Sequence, residues 1–147
     1  SELLPDELDA VLGMNAVSGD NLSPHHMPSA HSILENEGMN PSYGACSNVM
    51  TDTHKNTFTY GMNNRTRRYD MALYESLSYE DRLVFDQYDL QRVYAESRPN
   101  VDMDIVKSKL KEEYDMAMGM REVKESLTLE GEQDMRNIEE MKEEGCR

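Results

Sequence analysis

The chain has no tryptophan, two phenylalanines, two cysteines and no apolar run approaching the length of a membrane span. Each shortage excludes something. With no tryptophan and so few phenylalanines a rigid core is hard to specify, and the twelve methionines fill irregular gaps while fixing shape poorly. Cys46 and Cys146 stand far apart with no repeated spacing, so they make no disulfide framework and read as free thiols in a reducing compartment. A bilayer span takes about 20 apolar residues, and none is written here. The residues from Ser1 onward lack the basic-then-apolar pattern of a secretion signal, and Ser1 itself fits the residue left when an initiator methionine is removed.

Positive charge is also scarce: 15 basic residues face 29 acidic ones, a net charge of −14. That balance argues against general nucleic-acid binding, which needs a basic footprint to neutralise phosphates. The densest basic cluster is Arg65, Arg67 and Arg68, in NNRTRRYD. It reads as a polar contact to acidic helices of this chain or of a neighbouring copy, and any contact with nucleic acid would have to run through it.

What is present is sustained amphipathic helix over residues 69–127. Leu73, Leu77, Val84 and Tyr88, with Leu83, Leu90 and Tyr94, recur near the three-to-four spacing of a helical face. Ser78 followed by Asp81 has the form of a capping box, which predicts a break or bend there. Arg98-Pro99 ends the segment, because proline disfavours helical geometry in the residue before it. Asn100 or Asp102 then caps a second helix with Val106, Leu110, Ala117, Met120, Val123 and Leu127 on its apolar face. The short turn makes the two an antiparallel hairpin, with Val84, Tyr88, Leu110, Ala117 and Met120 in its seam. Such a hairpin is a marginal core by itself.

The flanks read as arms. Residues 1–14 (SELLPDELDAVLG and the next methionine) predict a two-turn anchor helix: Pro5 suits a first turn, Gly13 a stop, and Leu4, Leu8, Val11 and Leu12 form an apolar stripe. It is too short to hold in water alone, so the stripe must dock, either on this chain or in a partner's groove. Residues 15–68 are rich in Ser, Asn, Gly, Pro and His and predict an extended, loop-rich arm, with one helix candidate from Ser29 to Glu37 ahead of Gly38 and a small β-hairpin over 49–60. Residues 128–147 form an acidic helical tail after a break at Gly131; from Glu130 to Glu144 seven acids stand against Arg136 and Lys142.

No glycine-rich phosphate loop, serine elbow or cysteine–histidine arrangement of recognisable form is present. His25, His26, His31, Cys46 and His54 are of types that zinc accepts, but their spacing matches no zinc motif, so no metal, cofactor, catalytic residue or small-molecule substrate is assigned. In composition, though not in any residue motif, this small acidic, methionine-containing chain with a helical hairpin and arms is similar to minor virion proteins of tailed phages, the head-internal, ejection or connector-associated components. That likeness carries over no site. The expectation is a mainly α, non-enzymatic component of a multi-copy particle, made in a host cytoplasm and carried in the virion, whose partners are other subunits and copies of itself. The alternative is an acidic inhibitor that occupies a basic nucleic-acid-binding groove of a host protein.

Overall fold

The computed structural model describes the backbone of residues 2–16, 21–60 and 68–143, and the side chains of the same residues except 68–70 and 126–143. Among them lie β1 (Ala10–Leu12), β2 (Leu22–His26), α1 (Ala30–Glu37), β3 (Ala45–Met50), α2 (Thr51–Lys55), α3 (Arg68–Ser76), α4 (Tyr79–Ser97) and α5 (Met103–Glu143). The chain is mainly α, 61% helical, with one small antiparallel sheet.

Helix boundaries follow local chemistry. Ser29 caps α1 by accepting the Ser32 N–H at 3.2 Å, and Gly38 ends it in the left-handed region at φ 63°, where a side chain would be strained. Ser78 caps α4 through the Asp81 N–H at 3.1 Å, which separates α3 from α4. Asp102 accepts the Asp104 N–H at 2.9 Å ahead of α5. The helices α4 and α5 are antiparallel neighbours: Tyr79, at the start of α4, donates to the Ala117 carbonyl, while Gln87, further along, donates to the Leu110 carbonyl and to Glu113. Gly131 does not break α5, which runs unbroken to Glu143 for 41 residues.

The N-terminal part differs most from its sequence reading. Residues 10–12, expected in an anchor helix, form β1, and residues 45–50 form the central strand of a sheet ordered β1-β3-β2. The β-hairpin expected over 49–60 is replaced by strand pairing that starts earlier: Leu22 to His26 lie opposite Met50 to Cys46, while residues 51–55 turn into α2 instead of returning as a second strand. Of the extended arm expected over residues 15–68, the described residues 21–60 are not free, since β2 pairs with β3 and β3 lies against α5; residues 17–20 and 61–67 lie outside the described residues. Gly13 sits where the chain turns against Pro41; a Cβ there would lie 2.3 Å from the Pro41 carbonyl oxygen, so no side chain fits.

The core joins Leu8, Met27, Ala45 and Val49 to Leu83, Leu90 and Tyr94 of α4 and to Val106, Leu110 and Ala117 of α5. A satellite of Ile33, Met39 and Tyr79 lies under Met118 and Met120. The N-terminus is locked from both sides of Leu8. Glu7, fully buried, accepts hydrogen bonds from Tyr94 at 2.5 Å, from Arg98 and from its own Leu4 N–H. Lys109 reaches Asp9 at 2.6 Å. Leu8 itself sits at φ 65°, a left-handed conformation costing on the order of 1–2 kcal/mol for a side-chain-bearing residue, and the contacts on each side, buried at Glu7 and partly exposed at Asp9, hold it there.

Leu8 is therefore a core residue of this chain. Leu8→Ala should lower the unfolding free energy by about 2–5 kcal/mol, whereas Leu4→Ala, at a side chain 42% exposed, should change it by under about 0.5 kcal/mol. Urea unfolding followed by circular dichroism measures both; equal, small effects would show that the N-terminal segment does not dock on the body.

Candidate functional site

Four elements bring the four histidines of the chain around one cleft of about 310 Å³. Strand β2 supplies Pro24, His25 and His26; α1 supplies His31; α2 supplies His54; and α3 supplies Met71 and Glu75, with Tyr60 closing one side. Because β2 is an edge strand, Pro24 costs no ladder bond that an inner strand would need. The placements are fixed locally. His54 Nδ1 is 2.9 Å from Ser23 Oγ, His26 Nε2 is 2.9 Å from the Pro41 carbonyl oxygen, and the His54 ring lies 5.1 Å from the His25 ring and 4.9 Å edge-on to Tyr60.

Burial dominates the electrostatics. It pushes His25 down to about 3, with the nearby His54 and His26 adding to the effect. Burial also lowers His26, partly offset by its bond to Pro41, and lowers His54, with His26 adding. His25, His26 and His54 thus face the cleft as neutral imidazoles. Among the described residues no group of three or more His, Cys, Asp or Glu is disposed to hold a metal ion, and Cys46 is buried in β3 with its thiol pushed up to about 12 by burial and by Glu113. The Ser23–His54 pair resembles half of a nucleophile–base arrangement. The contacts on the rest of the His54 ring are aromatic, however, and no orienting carboxylate is bonded to it among the described residues.

A second polar cluster lies inside the body. Arg82, fully buried, meets Glu37 at 2.5 Å. Tyr74 accepts the Ser29 N–H and donates to Asp86 at 2.6 Å. Burial raises Asp86 well above the usual carboxylate range against the opposing pull of the Tyr74 bond, and raises Glu113 likewise against its bond from Gln87. Each of these contacts ties α4 to another element: Arg82 to Glu37 of α1, Asp86 to Tyr74 of α3, and Gln87 to Glu113 of α5.

Of the residues singled out from sequence, Leu110 and Ala117 are buried against α4 and Met120 packs on the satellite cluster. Val84 is half-buried and Tyr88 is 68% exposed. The inward face of α4 is instead Tyr79, Arg82, Leu83, Asp86, Leu90, Val93 and Tyr94; charged residues at two inward positions shifted the apparent apolar stripe. Val11 and Leu12 are half-buried in β1. Arg65 and Arg67 lie outside the described residues, and Arg68 opens α3 with its side chain outside them too. Sequence reasoning placed the histidines in a loop, since nothing local announces that β2 and α2 meet. Comparison with known protein families, characterised proteins and solved structures gives no match.

The buried imidazoles fix the sign of one pH dependence. Unfolded His25 takes up a proton below about 6.5, while the folded residue resists until about 3, so stability is complete above 6.5 and is lost as pH falls through that window. Asp86 and Glu113 act in the opposite sense, losing stability as pH rises above the ordinary carboxylate range. Urea unfolding at pH 7.5 to 4.5 should show that His25→Gln, whatever its cost at neutral pH, recovers relative to wild type by up to about 1.4 kcal/mol per pH unit below 6.5. A difference that stays constant across the range would mean that His25 is not held neutral.

Proposed function

We propose that this chain is a non-enzymatic component of a multi-copy assembly, the virion of a tailed phage being the particle its composition fits best. The observation that carries the reading is a mismatch of lengths. The 19 residues of α4 cover roughly 28 Å, whereas the 41 residues of α5 cover roughly 60 Å. Tyr79, the first residue of α4, already sits at Ala117, so α4 flanks only the first half of α5. A charged helix of this composition, with Gly131 in its interior, is marginal in water without something alongside it. A second copy or a neighbouring subunit supplies that partner. Where α5 leaves the body, a cavity of about 480 Å³ lined by Met39, Tyr43, Met120 and Val123 continues the apolar surface outward.

A second reading, an acidic inhibitor of a basic groove, is favoured by one different observation: residues 2–16 and 21–60 fold on the chain's own body, as a free-standing regulator requires.

Self-association separates the two. Sedimentation should find the full chain in a dimer or larger species at micromolar concentration. The chain ending at Glu125 should be monomeric, with its unfolding free energy changed by under about 1 kcal/mol. A full chain that stays monomeric, and binds a basic protein with steep salt dependence, would replace the assembly reading by the inhibitor.

A further inference from the structure

The histidine-lined cleft holds two polar atoms without a hydrogen-bond partner among the described residues. One is Nε2 of His25, in a side chain only 2% exposed; the other is Oε1 of Glu75, whose second oxygen accepts from Asn36 at 2.5 Å. Leaving such groups unmade costs about 1–3 kcal/mol each, and more where charge is involved. No lysine or arginine is among the described residues that line the cleft, so among them the Glu75 carboxylate faces no cation across it. The neutral imidazoles supply none either. His54 and Tyr60 meet edge to face at 73°, which presents ring surface of the kind that attracts a delocalised cation. At about 310 Å³ the cleft is at the small end of ligand sites and suits a head group. A net charge of −14 draws cations towards the chain from a distance.

We propose that this cleft binds a guanidinium group, with Glu75 accepting its N–H donors, His25 Nε2 accepting another from a ring protonated at Nδ1, and His54 and Tyr60 against its plane. A planar fork of donors matches a carboxylate better than an ammonium does. The group comes either on an arginine side chain of a partner polypeptide or on a small guanidino compound. The site is independent of the assembly reading, since none of its residues lies on α5.

Methylguanidinium chloride, titrated into the full chain while the imidazole Cε1–H resonances are followed by NMR, tests this directly. Saturable shifts at His25 and His54 are expected, at least fivefold tighter than any seen with tetramethylammonium, which has the same charge and no donors. Glu75→Gln should weaken binding about tenfold or more, the loss of a charge-assisted bond, while Glu35→Gln, the same charge change at an exposed position of α1, should not. Absence of saturable shifts, equal affinity for the two cations, or equal effects of the two substitutions would overturn the proposal; the two-cation comparison stands even where Glu75→Gln fails to fold. Titration with an alanine–arginine–alanine peptide assigns the source: tighter binding than methylguanidinium supports a polypeptide arginine, and equal binding supports the head group alone.

Discussion

The structure depends on what α4 buries. Tyr79, Arg82, Asp86, Gln87 and Tyr94 stand among its leucines, and between them they reach four other parts of the chain. Arg82 holds Glu37 at the end of α1, Asp86 holds Tyr74 of α3 and through it Ser29, Gln87 and Tyr79 hold α5, and Tyr94 holds Glu7 near the N-terminus. Asp89 adds the Phe58 N–H beyond α2. Apart from α5, each of those segments is too short to persist alone in water. Apolar burial supplies the driving force, but it is non-directional. The directional bonds from α4 decide where each piece sits.

That arrangement has an energetic cost, because removing a guanidinium or carboxylate from water costs several kcal/mol before any pairing. The chain limits it by keeping interior groups uncharged. Burial holds His25, His26 and His54 neutral, and it shifts Asp86 and Glu113 towards their protonated forms. The abundant remaining charge, which makes the chain strongly acidic, belongs mostly to the surface. Arg82, whose Nε and Nη1 lack partners among the described residues, is the place where this economy is least complete.

How far the sequence could be read follows from the range of each interaction. Caps and breakers act within four residues, so Ser29, Gly38, Ser78, Pro99 and Asp102 marked their boundaries correctly. The sheet was not legible. Strand β3, ACSNVM, is central and covered on both sides, so it shows no clean alternation, and β2 contains Pro24, which reads as a loop signal until its edge position is known. The N-terminal stripe looked helical because Leu4, Leu8, Val11 and Leu12 have helical spacing, yet Leu8 lies at positive φ and pairs its N–H with Asn48. Tertiary contact overrode local periodicity there. The cleft was harder still: His25 and His54 are separated by α1 and β3, and only the folded sheet places their rings together.

The same logic of range divides the molecule. Within the body, α4 offers every short element a directional partner, and the first half of α5 completes the core. Beyond the start of α4, the helix that began as a wall of that core continues past the elements that specified it. Past Val123 its apolar residues, Leu127, Leu129, Met135, Ile138 and Met141, are too few for a core of their own, yet recur along the helix as a thin stripe. A helix whose first half is fixed by its own chain presents its second half at a defined angle and register. A subunit receiving it then bears little of the ordering cost that a disordered tail would impose.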